Sequence, residues 1–129
     1  MELSGKTILL VEDDQLVGEM LNRRFKIAGA KVIWASDGED ALEKVKTDKM
    51  DVIVTDLMMP RLDGFEMLKR IRGNPDTMNV PFMMLTNRSV NEDEVNKMKE
   101  AGLDDYVIKS ETDLKEVVDR VVAILEKNK

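Results

Sequence analysis

The chain has 129 residues, with 26 Asp and Glu against 20 Lys and Arg, a net charge of −6, and neither cysteine nor histidine. That length suits one domain with its own core, and the acidic balance disfavours non-specific nucleic-acid binding and anionic membrane surfaces. The missing residue types exclude disulfides, thiol catalysis, thiolate or imidazole metal sites, serine–histidine triads and a phosphohistidine formed on this chain. The N-terminal MELSGKT carries no apolar stretch of signal-peptide length. No run approaches the ~20 apolar residues of a membrane helix. A cytoplasmic protein without membrane insertion or direct nucleic-acid contact is the expectation.

In chain order, Thr7–Val11 is an apolar, β-rich run. After it, Val17, Met20, Leu21, Phe25 and Ala28 fall on one face of a helix. Lys31–Ala35 is a second run, followed by a weaker helical pattern in Ala41, Leu42 and Val45, with Ser36 and Glu39 at capping-box spacing before it. Residues 52–55 form a third run, and Phe65, Leu68 and Ile71 mark a third helix. Residues 81–85 form a fourth; Val95 and Met98 mark a fourth helix, with Ser89 and Glu92 at capping-box spacing. Asp105–Ile108 is the fifth run, and Leu114, Val117, Val118, Val121, Val122 and Leu125 draw the clearest helical stripe of all. Gly29, Gly73 and Gly102 stand where a C-terminal glycine closes helices one, three and four.

Five strand–helix alternations predict an α/β fold with a parallel sheet. Runs one, three and four are almost wholly apolar, as central strands covered on both faces should be. Runs two and five carry charges or Trp and Tyr at their ends and suit the edges. No linker, repeat or second unit interrupts residues 1–129, so a single domain with no output domain is expected. The ten methionines read mostly as core filler, with Met58 and Met59 at the mouth of any site nearby.

Functional groups in such a sheet gather beyond the carboxyl ends of the strands. Glu12-Asp13-Asp14 follow the first strand, Asp56 the third, Thr86 the fourth, and Lys109 ends the fifth. Each has a plain alternative: acids before a helix cap it and complement its dipole, a lone Asp after a strand is a turn residue, and a terminal Lys guards a sheet edge. Together they occupy one end of the sheet. Carboxylates crowded there repel and raise one another's pKa. Oxygen-only ligands suit a hard cation such as Mg²⁺, which often meets phosphate, and Lys109 adds a second positive charge.

The stretches Val11-Glu12-Asp13-Asp14, Thr55-Asp56-Leu57-Met58-Met59-Pro60 with Asp63-Gly64, Leu85-Thr86, and Tyr106-Val107-Ile108-Lys109 resemble the signature of two-component response-regulator receiver domains. The stand-alone chemotaxis regulator is one example. The resemblance covers residues 6–125, with the motifs in order. It implies a flavodoxin-like (βα)5 fold with strand order 2-1-3-4-5. It implies that Asp56 is the phosphoacceptor, attacking the phosphohistidine of a sensor histidine kinase or histidine phosphotransfer protein. Asp13, Asp56 and the Met58 carbonyl would ligate Mg²⁺ (Mn²⁺ able to substitute), with Glu12 acting through a water. Lys109 would pair with the phosphate. Thr86 would hydrogen-bond it, and Tyr106 would follow, altering the helix4–strand5–helix5 face read by a downstream protein effector. Such a protein is a switch that catalyses only its own phosphoryl transfer and dephosphorylation. It would be a monomer or a weak phosphorylation-dependent dimer.

Some positions depart from the family pattern. Ser110 follows Lys109 where the family usually has a cis proline, leaving a trans bond or a strained cis one. Asn87 stands where a small residue is common and implies narrower access, and the bulk of Met58 and Arg88 implies slow water attack on the phosphate. Asp14 reads as a cap of helix one. Three rivals share parts of the pattern. A haloacid-dehalogenase-type phosphatase needs a DxDx(T/V) motif after strand one, and a flavodoxin needs a Ser/Thr/Gly-rich loop there; neither matches Glu12-Asp13-Asp14-Gln15-Leu16. A pseudo-receiver, docking constitutively without phosphorylation, keeps the same fold.

Overall fold

The computed structural model describes residues 1–87 and 90–128. Arg88 and Ser89, and with them the Ser89 capping box and the Arg88 reading, lie outside the described residues. Strands and helices alternate as β1 (Thr7–Val11), α1 (Gln15–Ile27), β2 (Lys31–Ala35), α2 (Gly38–Thr47), β3 (Val52–Asp56), α3 (Gly64–Gly73), β4 (Phe82–Thr86), α4 (Glu92–Glu100), β5 (Asp105–Ile108) and α5 (Leu114–Lys127). A single 3₁₀ turn, Lys109–Glu111, joins β5 to α5. The strands pair in parallel in the order β2-β1-β3-β4-β5, so the flavodoxin-like order holds.

The apolar runs are central for the expected reason. Every residue of β3 and β4 is buried, whereas β2 begins exposed and β5 is largely half-buried. Alternation along the strands sends successive side chains to opposite faces. Ile8, Leu10, Val52, Val54, Met83 and Leu85 enter one layer with Leu21 and Phe25 of α1 and Val117, Val118 and Val121 of α5. Leu9, Val11, Ile53, Phe82 and Met84 enter the other with Met67, Leu68 and Ile71 of α3 and Met98 of α4. Two buried layers on one sheet explain why the central strands read as unbroken apolar runs. Met50, Met67, Met83, Met84 and Met98 fill this core, while Met1, Met20, Met58 and Met78 are exposed.

One capping expectation moves. The N-cap of α2 is Asp37, not Ser36: the Asp37 carboxylate accepts from the Asp40 backbone N–H at 2.8 Å, and the Asp40 carboxylate reaches back to the Ser36 N–H at 3.3 Å. The cap therefore sits one residue later than Ser36, since Asp caps as well as Ser and adds a charge at the helix N-terminus, and Asp40 reaches past it to the Ser36 N–H. Helix α4 is capped by Asn91, whose side chain accepts from the Glu94 N–H at 2.8 Å. Asp14 caps α1 as expected, accepting from the Val17 N–H at 3.1 Å. Gly29 (φ 100°) and Gly102 (φ 105°) take the left-handed conformation that ends a helix. Gly73 instead closes α3 as its last helical residue, with Asn74 as the cap. Strand β4 begins at Phe82 rather than Pro81, since proline has no N–H to give the ladder, although the Pro81 carbonyl accepts from the Ile53 N–H at 2.9 Å. No described helix is long and apolar enough to cross a membrane.

Candidate functional site

The order β2-β1-β3-β4-β5 makes β1 and β3 neighbours, with Val11 beside Thr55. The residues after β1 therefore sit beside the end of β3. Glu12 continues the parity of Ile8 and Leu10, and Asp56 that of Val52 and Val54, so both carboxylates leave the sheet on one side. Both are buried, at 1% and 3% exposure, while Asp13 is exposed at the rim. One carboxylate oxygen from each of Glu12, Asp13 and Asp56 lies within 4.8 Å of the others.

Lys109 reaches this cluster from the end of β5. Its Nζ donates to Glu12 Oε1 and, at 3.2 Å, to Asp56 Oδ2, with the side chain 15% exposed. The backbone around the cluster is held as well. The Asp14 N–H donates to Glu12 Oε2 at 3.2 Å, and the Met58 N–H to Asp56 Oδ1 at 3.3 Å. Burial pushes the Glu12 carboxyl above its ordinary value of 4.5; the Asp56 charge pushes the same way, and Lys109 opposes both. Burial alone would lower Lys109, but its hydrogen bond to Glu12 and the two carboxylate charges prevail and hold it above 10.5. Three carboxylates against one ammonium leave the rim negative.

Thr86 ends β4 and is buried. It continues the parity of Phe82 and Met84 and so belongs to the second face. Tyr106, whose register partner is Met84, packs half-buried into that same layer. The fold thus gathers Glu12, Asp13, Asp56 and Lys109 at one point and sets Thr86 and Tyr106 together on the other face. Met58 is exposed beside Asp56, while the Met59 sulfur receives the Thr55 hydroxyl at 3.9 Å. No described peptide bond is cis, so Lys109–Ser110 is trans, and Lys109 still reaches both acids.

The loop from β3 to α3 shapes the mouth. Its Leu62 N–H donates to the Pro60 carbonyl and its Gly64 N–H to the Leu57 carbonyl, both at 2.8 Å. Arg61 between them has φ 68°, a strained value for a side-chain-bearing residue, and pairs with Asp37 at 2.6 Å. A Cβ on Gly64 would stand 2.7 Å from the Asp56 carbonyl oxygen. Sequence reasoning did not find the role of Trp34. Its Nε1 donates to the Glu12 carbonyl at 3.0 Å, and an aromatic residue on an edge strand was the only sign of it.

The family model described as response regulator receiver domain matches residues 8–122. The alkaline phosphatase synthesis transcriptional regulatory protein PhoP of Bacillus subtilis (strain 168) is 40% identical over 124 residues, covering 96% of this chain and 50% of its own length. Response regulator MprA of Mycobacterium tuberculosis is 39% identical over 122 residues, covering 95% and 51% respectively. The chain therefore spans about half the length of these curated relatives. Among solved structures, the Francisella response regulator 1452 receiver domain matches with a TM-score of 0.86 at 30% identity, over 97% of this chain and 100% of that one. Vibrio cholerae chemotaxis protein CheY4 matches with a TM-score of 0.86 at 26% identity, over 92% and 98%. With the acid cluster, the bridging lysine and the sheet order already in place, these likenesses put the chain in the response-regulator receiver family, the phosphoacceptor switch domain of two-component systems.

Proposed function

We propose that Asp56 accepts a phosphoryl group from a phosphohistidine on a sensor histidine kinase or histidine phosphotransfer protein. An Asp56 carboxylate oxygen bonds to phosphorus as the N–P bond breaks, and the imidazole leaves with its electron pair. The observation that carries this reading is the seat of Asp56. It is a nearly buried carboxylate at a strand end, fixed by the Lys109 ammonium and the Met58 N–H beside two further acids. Such a group projects from a rigid element and cannot swing away. Lys109 lies where it can pair with the incoming phosphoryl oxygens.

The donor set fits a hard divalent cation, being all oxygen, crowded and negative in sum. Asp13, Asp56 and the Met58 carbonyl would hold Mg²⁺, or Mn²⁺ in its place, with Glu12 acting through water. Bound there, the cation supplies positive charge against the phosphoryl oxygens. Thr86, next to the Leu85 that pairs with Asp56, would turn inward from its own face to give the new phosphate a hydroxyl, and Tyr106, in the same layer, would follow into the space vacated. The α4–β5–α5 surface then changes for a downstream protein effector. The chain acts as one receiver unit whose chemistry is confined to making and hydrolysing its own aspartyl phosphate.

The test is intact-protein mass after incubation with acetyl phosphate, in Mg²⁺ or in chelator, for wild type and Asp56→Asn. One phosphoryl adduct that requires Mg²⁺ and is lost in Asp56→Asn is expected. No adduct, alongside a control receiver that does react, would leave the fold as a docking module that is never phosphorylated.

A further inference from the structure

Strand β2 holds the loop after β1 from both sides of one residue. The Glu12 N–H donates to the Ala35 carbonyl at 3.1 Å, and the Glu12 carbonyl accepts from Trp34 Nε1 at 3.0 Å. That carbonyl belongs to the peptide joining Glu12 to Asp13. Its orientation sets the direction in which Asp13 leaves the chain, because a peptide is planar and only two soft torsions per residue remain. Asp13 is exposed at the rim, so little packing aims it, and the peptide before it matters correspondingly.

The indole is itself seated with care. Trp34 packs half-buried against the first core layer. It lies over Gly18 of α1, where a Cβ would stand 2.0 Å from Trp34 Cζ2 and 2.6 Å from Cε2. Glycine is unfavourable inside a helix, and at position 18 its absent side chain gives the ring its place. A large residue on an edge strand, a helical glycine beneath it and a hydrogen bond across 22 residues converge on one backbone carbonyl of the acidic site.

We infer that Trp34 is a positioning residue for the cation site: its indole N–H fixes the Glu12–Asp13 peptide and so aims Asp13. The inference rests on the Mg²⁺ reading above. Hydrogen-bond partners of ligating residues tune metal affinity by about 10- to 100-fold, and a backbone partner belongs at the low end of that range.

The deciding variant replaces Trp34 with 3-benzothienylalanine, which keeps the ring shape and removes only the N–H. Mg²⁺ alone is titrated by calorimetry, with circular dichroism to check the fold. The expected result is Mg²⁺ affinity weaker by about ten-fold, with acetyl-phosphate labelling restored at saturating Mg²⁺. A structural role alone would not give that split. Gly18→Ala, which pushes the same indole aside, should give a similar loss, and the two changes together should add little. Should Gly18→Ala fail to fold, the isostere decides alone. Unchanged affinity in the isostere, with a wild type that binds, overturns the inference and spares the site reading. A wild type without Mg²⁺ affinity overturns both.

Discussion

Lys109 is the residue that offsets the charge of the buried acids. It stands between Glu12 and Asp56, two acids that are almost fully buried. Removing it leaves two buried carboxylates without their counter-charge, and losing one partner of a buried ion pair costs about 3–5 kcal/mol. Lys109→Met should therefore lower the denaturant midpoint in chelator, and added Mg²⁺ should narrow the gap by restoring positive charge. The same variant should lose acetyl-phosphate labelling even where Mg²⁺ keeps it folded. An unchanged midpoint in chelator would mean that the carboxylates find water instead. The identities of Glu12, Asp13, Asp56 and Lys109 could be read before the fold was known, because carboxylates and a lysine after apolar runs are conspicuous. Trp34 could not be. Its partner is set by the pairing of Leu10 with Trp34 across β1 and β2, and that register is invisible in a local window.

Elements place these residues through their ends, and the β3–α3 loop shows how tightly. Gly64 sits against the carbonyl of Asp56 with no room for a methyl group, and the atoms it would strike are backbone. Gly64→Ala must therefore move the strand end that carries Asp56. We expect a loss of about 1–3 kcal/mol, the usual cost of overpacking, in urea unfolding, together with slower acetyl-phosphate labelling. Labelling at the wild-type rate would show that the loop absorbs the shift without disturbing Asp56. At the start of α2, Asp40 accepts from Lys44 at 2.8 Å and from the Ser36 N–H, and the Lys44 bond above all holds its carboxyl below the usual 3.8. A carboxyl lowered by folding stabilises the native state above its unfolded pKa, and that contribution is lost as pH falls through the folded value. Asp40→Asn should thus cost stability at neutral pH, and the cost should fade as the pH drops below 3.8 and through the lower folded value, read as converging unfolding curves. The effect is small, because the pair is partly exposed. The cap of α2 was legible only to within a residue. Ser36 and Asp37 offer adjacent capping groups, and three-dimensional packing chooses between neighbours that sequence preference ranks equally.

At the scale of the molecule, the sheet order decides what the acids can do. The alternating elements and the two edge strands emerged from hydrophobic pattern alone, but β1, β3 and β4 are equally apolar, so their order came only from the family likeness. That order places β1 against β3 and collects like charges that chain separation would otherwise keep apart. The folded chain therefore carries a repulsion that the unfolded chain lacks, offset in part by Lys109. A divalent cation binding only the native state should stabilise it by RT ln(1 + [L]/Kd), about 2.7 kcal/mol at a hundred-fold excess over Kd. The melting temperature should accordingly rise with Mg²⁺ and keep rising logarithmically past saturation. Asp13→Asn separates this from general salt screening. Asp13 is exposed and packs little, so its loss should relieve repulsion and leave the metal-free protein at least as stable as wild type, while the Mg²⁺-dependent rise largely disappears. Equal concentrations of Mg²⁺ raising both proteins alike would mean that ionic screening, not a site built by the β1–β3 junction, accounts for the stabilisation. A response confined to the wild type ties the sheet order to a bound cation, and does so without any phosphodonor present.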